Sequence, residues 1–283
     1  MRELIPWWGR ICAKLMLARL PAGYATWRSL NLFRHGAMHR VDYALRVFQR
    51  HFARLEGARR GGFVALEIGP GDSLFSGMIA AAHGATHTYL IDAGPFATTD
   101  VAVYQRASRE LRERGIDAPA LDAANDFAGV LSACRTSYGT QGLRSMREVP
   151  PASVDFMWSQ AVLEHVRKRE FLETMRECRR ILRSGGICSH QIDLRDHLGG
   201  ALNNLRFSER VWESEIVANS GFYTNRIPFG EMLSLFQQAG FEVEVGEVHR
   251  WPSLPTPRKR LAREFSTVPD ADLLVADFDV LLR

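Results

Sequence analysis

The chain has 283 residues, of which 46% are hydrophobic, and a formal net charge of +4. This composition suits one large core with a small appendage, and it argues against a disordered or low-complexity chain. No apolar run approaches the roughly 20 residues that span a bilayer, so we do not expect a spanning helix. The four cysteines show no paired spacing and are predicted to be reduced thiols of a cytosolic protein. They are Cys12, Cys134, Cys178 and Cys188.

Positive charge is concentrated at the amino terminus. Residues 1–60 hold twelve Arg and Lys against three acids, a net charge of about +9. We expect a basic helical extension over residues 1–60 and one main domain over residues 61–283. The charge fits either a solvated face or a surface for anionic lipid, a lipid-linked phosphate or an acidic glycan. The predicted location is therefore cytoplasmic, either free or peripheral on the inner membrane.

Two apolar stripes at helical spacing lie in this extension. The first is Leu4, Trp8, Ile11 and Leu15, which suits a helix lying in a membrane interface. The second runs from Val41 to Leu55 and includes Leu45, Phe48 and Phe52. We expect the second stripe to pack on the main domain.

A nucleotide-binding unit is predicted where residues 65–73 read Ala-Leu-Glu-Ile-Gly-Pro-Gly-Asp-Ser. A buried strand reaches Glu67 and ends in the Gly69-Pro70-Gly71 turn, a helix follows over residues 73–83, and a second strand ends at Asp92. The glycines allow a tight turn and a close approach of the backbone to a ligand. An acid at the end of the second strand can accept hydrogen bonds from a ribose hydroxyl pair.

Three features argue against a dinucleotide at this site. Glu67 stands where an apolar strand residue is usual, Leu74 occupies the position of a third glycine, and no Gly-Lys-Ser/Thr sequence is present. A carboxylate at this position repels a pyrophosphate but suits the ammonium group of an amino acid. The ligand that combines ammonium, ribose and adenine is S-adenosylmethionine (SAM).

The remaining elements alternate in the manner of an α/β domain. We predict a helix over residues 102–115, a third strand ending near 142–146, a fourth strand from 153, a helix over 168–182, and a fifth strand over 187–194. A long insert covers residues 198–228 and is predicted to form a lid. A helix over 229–239 precedes strands 241–248 and 273–282, which are expected to close the sheet as an antiparallel pair.

Four motifs in order make the chain similar to the class I SAM-dependent methyltransferases. Besides the two strand ends, residues 153–166 resemble that family's fourth strand and following turn, and residues 181–186 resemble the turn before its fifth strand. The resemblance implies a Rossmann-like seven-stranded, mostly parallel sheet with a terminal antiparallel strand. It also implies SAM as cofactor, held by Glu67, Gly69, Pro70, Gly71, Asp92, Gly142, Leu143, Ser159 and Gln160. Many members carry an adenine-binding Asp where this chain has Leu143, so backbone groups there are expected to substitute.

Three histidines are candidate proton acceptors for methyl transfer. Chemistry is expected where the carboxyl ends of the strands converge. His165 follows the fourth strand, His190 lies on the fifth, and His197 stands in the loop after it. Each also has a structural interpretation, and His197 is preferred because a loop can present its imidazole to an acceptor. Asp193 and Asp196 could bind a cation, but hydrogen bonding explains them equally well and we assign no metal ligands.

The acceptor is suggested by resemblance alone. The Ile-Asp-Leu-Arg-Asp-His run at 192–197 and the Phe-Arg-His-Gly run at 33–36 look like methyltransferases of bacterial surface-polysaccharide clusters. This implies O-methylation of a sugar hydroxyl on a glycan or lipid-linked saccharide. The alternatives are a small-molecule or natural-product methyltransferase and a non-catalytic SAM-fold binding protein. Nucleic acid is not expected, because a base-clamping Pro-Pro-Tyr motif is lacking and the positive charge lies on the extension.

Overall fold

The computed structural model describes residues 6–9, 11, 37–55 and 62–283. They divide into two compact units. The first unit contains the described residues of Arg34–Gln160, Thr174–His190 and Leu281–Arg283, and the second those of Met1–Phe33, Ala161–Glu173 and Gln191–Val280.

Seven strands form one sheet within the described residues. They are β1 (Phe63–Ile68), β2 (Ala85–Ile91), β3 (Thr136–Gly139), β4 (Val154–Gln160), β5 (Leu182–Asp193), β6 (Val243–Arg250) and β7 (Val275–Leu282). Their order is β3-β2-β1-β4-β5-β7-β6, and the sheet is mostly parallel with one antiparallel strand. The predicted α/β fold class is therefore confirmed.

The helices occupy the connections between strands. They are α1 (Val41–Phe52), α2 (Phe75–Ala82), α3 (Val101–Glu113), α4 (Phe127–Ala133), α5 (Leu143–Arg147), α6 (Lys168–Ile181), α7 (Glu209–Trp212), α8 (Glu215–Ala218), α9 (Phe229–Gln238) and α10 (Asp270–Leu273). Short 3-10 turns cover Leu163–His165, Asn203–Arg206, Arg258–Arg260 and Arg263–Phe265. None of the helices in the described ranges is long and apolar enough to cross a membrane.

The second apolar stripe packs as expected. Helix α1 turns Val41, Ala44 and Phe48 into the core of the first unit. The Phe48 ring meets Trp158 of β4 edge to face, with centroids 5.4 Å apart. Burying an aromatic side chain of this size contributes roughly 1.5–3 kcal/mol. Helix α1 is therefore part of the hydrophobic structure that supports β1 and β4.

The first stripe lies partly outside the described residues, which omit Leu4 and Leu15. Trp7 and Ile11 pack against an apolar cluster of the second unit, and Trp7 meets the Phe207 ring at 6.1 Å. Trp8 is 59% exposed. The stripe is therefore split, with Ile11 packed on protein and Trp8 facing solvent.

The third, fifth and last strands differ from their predicted bounds. The third strand ends at Gly139, and residues 143–147 form α5 instead of the strand end predicted at 142–146. Gly142 has φ 51°, a left-handed value that ends the extended chain and starts the helix. Strand β5 begins at Leu182, five residues early, because hydrogen bonding continues through the Ser-Gly-Gly segment. Residues 270–273 form helix α10, so β7 begins at Val275.

The described cysteines support the expectation of reduced thiols. Cys134, Cys178 and Cys188 are free and buried, while Cys12 lies outside the described residues. Burial raises the pKa of the Cys134 thiol to about 12, so it is protonated at neutral pH.

Candidate functional site

The glycine turn after β1 and the end of β2 meet in the first unit. Gly69 and Gly71 have φ values of 74° and 71°, which few side-chain-bearing residues adopt. The Gly71 N–H donates to Oδ2 of Asp92 over 3.0 Å, and the Ala93 N–H donates to Oδ1 over 2.7 Å. The half-buried Asp92 carboxylate is thereby fixed beside the turn, as the sequence predicts for a ribose-binding acid.

The sequence predicts that Glu67 is open to the ammonium group of a ligand, but in the structure its side chain is buried. It is 1% exposed, and its carboxylate accepts hydrogen bonds from the Ser76 hydroxyl and from Nε1 of Trp158, the latter over 3.0 Å. Burial raises its pKa to about 7, and these two donors offset part of that rise. Contact of Glu67 with a methionine ammonium group remains a prediction.

Gly142 lies beside Asp92 and Ala93 in the first unit. Its N–H donates to the backbone oxygen of Asp92 over 2.8 Å. A Cβ added at Gly142 would lie 3.8 Å from Cα of Ala93, so the two backbones run close together. Leu143 follows as the first residue of α5 and is partly buried. The structure therefore brings Gly142 and Leu143 beside Asp92, as expected of cofactor-binding residues.

Ser159 and Gln160 at the end of β4 are tied to two buried histidines. Nε2 of His51, on α1, donates to Oε1 of Gln160 over 3.1 Å, and Nδ1 of His51 lies 2.8 Å from the Ser189 hydroxyl. Nδ1 of His190 lies 2.8 Å from the Ser159 hydroxyl. The Gln160 side chain is therefore oriented by a helix that the motif analysis did not connect with the site.

His190 is poorly placed for proton transfer. It is fully buried, and burial together with nearby His51 lowers its pKa to about 3. An imidazole with so low a pKa accepts a proton weakly at neutral pH. We therefore carry the catalytic prediction forward for His165 and His197 and not for His190.

In the second unit, a 3-10 turn presents Glu164 and His165. Ala161 enters the turn with φ 53°, a strained value for a residue with a side chain. The Asn225 side chain donates to the backbone oxygens of Leu163 and Val166, and the Asn225 N–H donates to that of Glu164 over 2.7 Å. The insert at 198–228 therefore holds this turn in place.

His197 stands on a loop held by Asp196. The buried Asp196 carboxylate accepts from the N–H groups of Leu198, Gly199 and Asn203 at 2.6–3.1 Å, and from the Asn203 side chain at 2.9 Å. Asp193 is engaged separately, in a bidentate ion pair with Arg195. Asp193 and Asp196 were the candidate cation ligands in the sequence. The carboxylate of Asp196 is hydrogen-bonded within the protein and that of Asp193 is ion-paired.

These elements bring His165, His197 and Glu164 together. The two imidazole rings are 4.7 Å apart at an angle of 63°. Glu164 is 1% exposed, and neither carboxylate oxygen has a hydrogen-bond partner of ordinary geometry. Burial raises its pKa well above the usual value, and the nearby Asp193 charge adds to the rise. Backbone N–H groups of Glu164 and Asp193, which do not reach hydrogen-bonding geometry, and the nearby Arg195 charge offset part of the rise.

Glu164 also lines a pocket of the second unit. Its lining combines apolar side chains with Asn204, Thr224, Asn225 and Asp193. Glu164 was visible in the sequence as the acid before His165, but its burial was not. A 3-10 turn of three residues is too short for the spacing of hydrophobic residues to show which of its side chains point inward.

The donor set of the first unit fits SAM. Gly69, Gly71 and Gly142 have positive φ values and leave the backbone open beside the Asp92 carboxylate. The carboxylate can accept from a ribose diol, and backbone groups at Gly142 and Leu143 are available for an adenine.

Comparison with known proteins agrees with this fit. Residues 66–189 match a family model described as "Methyltransferase domain". No curated protein matches the chain.

Three solved structures with a similar fold have low sequence identity to this chain. A SAM-dependent methyltransferase of Mesorhizobium loti is 16% identical, with a TM-score of 0.44 over 86% of this chain and 98% of that one. A phosphoethanolamine N-methyltransferase of Haemonchus contortus, bound to phosphomonomethylethanolamine and S-adenosylhomocysteine, is 15% identical, with a TM-score of 0.48 over 94% and 59%. A SAM-dependent methyltransferase of Archaeoglobus fulgidus is 9% identical, with a TM-score of 0.45 over 86% and 94%. At these scores the neighbours carry no argument about the acceptor.

The glycine turn, the acid after β2 and the matched domain lead to the same assignment. Residues 66–189 match a methyltransferase domain, and the chain is a SAM-dependent methyltransferase.

Proposed function

We propose that this enzyme transfers a methyl group from SAM to a sugar hydroxyl of a glycan or lipid-linked saccharide. The observation that carries the proposal is the buried, unpartnered Glu164 carboxylate beside His165 and His197. A hydroxyl is a weak nucleophile until its proton is removed, and this cluster supplies groups that can bind the hydroxyl and accept that proton.

In the proposed reaction the acceptor oxygen forms a bond to the methyl carbon, and the S–C electron pair returns to sulfur. SAM, when bound, supplies an already activated methyl group. The protein therefore has to orient the hydroxyl and take its proton, with His197 the preferred acceptor and His165 the second candidate. Such orientation can lower the barrier by several kcal/mol, up to roughly 7–11 in ideal cases.

The proposal is tested by incubating the full chain with SAM and separate panels of saccharides and small aromatic hydroxyl compounds. S-adenosylhomocysteine release and a mass gain of one methylene unit on a saccharide would support it. Methylation of the small compounds alone would replace it with the small-molecule alternative. Tight S-adenosylhomocysteine binding without turnover on either panel would favour a non-catalytic binding protein. Asp92→Asn, which is expected to bind the cofactor more weakly, serves as the control and should show reduced turnover at limiting SAM.

A further inference from the structure

The turn after β4 and the loop after β5 place three metal-ligating side chains together. One donor atom each of Glu164, His165 and His197 lies within 4.8 Å of the other two. No second group of three His, Cys, Asp or Glu side chains meets this spacing in the part of the chain that the structure describes. The donors are two imidazole nitrogens and one carboxylate oxygen.

Glu164 independently points to a missing ligand. Its two oxygens are buried and have no hydrogen-bond partner, although buried polar groups in folded proteins are almost always paired. Buried charges are paired with an opposite charge or coordinate a metal ion. A cation at this position would satisfy a carboxylate that the protein leaves unsatisfied.

The surroundings orient the donors for such a cation. The backbone oxygen of Tyr223 can only accept, so Nδ1 of His165, 2.7 Å away, must carry the proton. Nε2 of His165 then keeps the lone pair that a metal requires, and a hydrogen bond from the other ring nitrogen is the usual support of a histidine ligand. Asp196 holds the loop of His197, and Asn225 holds the backbone of Glu164.

The site is also accessible. His165 is exposed and His197 is partly exposed, while Glu164 closes the inner side. Three protein ligands with an open outer side leave coordination positions for oxygen atoms from an acceptor, as in catalytic metal centres.

We propose that Glu164, His165 and His197 bind a divalent transition-metal ion, of the class of Zn²⁺, Mn²⁺, Fe²⁺ or Co²⁺. This set of two histidines and one carboxylate suits such ions better than Mg²⁺ or Ca²⁺, which prefer oxygen ligands alone. It departs from the sequence analysis, which assigned no metal ligands. The binding of the cation does not depend on the acceptor. Its use to hold an acceptor hydroxyl and lower the pKa of that hydroxyl rests on the proposed function; with the cation bound, His165 and His197 act as ligands instead of proton acceptors, and the hydroxyl proton passes to solvent.

The test is a titration of chelator-treated, tag-free full chain with Co²⁺, followed by visible absorption and by calorimetry. We expect one ion per chain and a spectrum of nitrogen and oxygen ligation. Glu164→Gln and His197→Ala should each weaken binding by at least about tenfold. His87→Gln is the matched control, because His87 lies on β2 in the first unit, where its Nε2 hydrogen-bonds the Ser137 hydroxyl over 3.1 Å. It should bind Co²⁺ like the parent chain.

Absence of Co²⁺ binding in the parent chain, or equal affinity in all variants, would overturn the proposal. Titration of the same samples with S-adenosylhomocysteine shows whether each variant has folded. If chelation leaves methyl transfer unchanged while Glu164→Gln abolishes it, the cluster acts as a metal-free base and the cation proposal fails, with the proposed function intact. If Co²⁺ binds as expected but no saccharide is methylated, the proposed function fails and the cation site stands.

Discussion

Replacing Glu67 by glutamine should remove a pH dependence of stability that is built into the cofactor region. In the folded protein burial raises the pKa of Glu67 from 4.5 to about 7. Between these values the folded state keeps a proton that the unfolded chain releases. The free energy of unfolding therefore falls as the pH rises through this window, and the loss is complete above the folded pKa.

The magnitude follows from the size of the shift. A change from 4.5 to about 7 corresponds to about 3 kcal/mol, at 1.36 kcal/mol per pKa unit. Glutamine has no titrating proton, yet its oxygen can accept from Trp158 and its amide can donate to the Ser76 hydroxyl. Glu67→Gln should therefore match the parent chain near pH 4.5 and exceed its stability by up to about 3 kcal/mol above pH 7.

The assay is urea unfolding of both proteins at a series of pH values from about 4 to about 8.5. Glu113→Gln, at an exposed position on α3, is the control and should follow the parent chain. A stability difference between Glu67→Gln and the parent that does not change with pH would refute the reasoning. So would a parent chain that gains stability relative to Glu67→Gln as the pH rises.

Four further outcomes are expected. Asp92→Asn should weaken S-adenosylhomocysteine binding about tenfold or more in calorimetry, because a charged acceptor is lost; unchanged affinity would contradict the ribose assignment. His197→Ala should lower kcat about 100-fold or more with cofactor affinity unchanged; a fully active variant would exclude it. Asp196→Asn should lower the free energy of unfolding by about 1–3 kcal/mol, since two loop N–H donors would face an amide group; equal urea midpoints would contradict this. Deleting residues 1–20 should reduce association with anionic liposomes while cofactor binding persists; equal association would show that the basic segment is not the membrane contact.

The cofactor region was predictable because its residues are set by local backbone geometry. A Gly-x-Gly turn after a buried strand needs positive φ values, and Gly69 and Gly71 have them. Asp92 follows the next strand, so parallel pairing of β1 with β2 carries it to the turn. Both facts depend on short stretches of chain with a strong pattern.

The third strand and the roles of Glu164 and Asn225 were not predictable in the same way. Strand β3 has only four residues, too few for alternation to separate it from a loop. Asn225 and Glu164 are 61 positions apart in the sequence, and their backbone hydrogen bond depends on how the insert folds. Single-sequence patterns carry little information about such long-range contacts.

The two buried glutamates show why an acidic residue near the end of a strand is not by itself evidence of a binding group. Glu67 and Glu164 are equally buried, and burial raises the pKa of both. Glu67 has a donor from Ser76 and one from Trp158, so its carboxyl group is satisfied within the protein and helps to hold the β1 turn. Glu164 has no such donor and lies against two imidazoles. An unsatisfied acid costs stability unless a ligand completes it, so Glu164 is the stronger candidate for direct contact with a ligand.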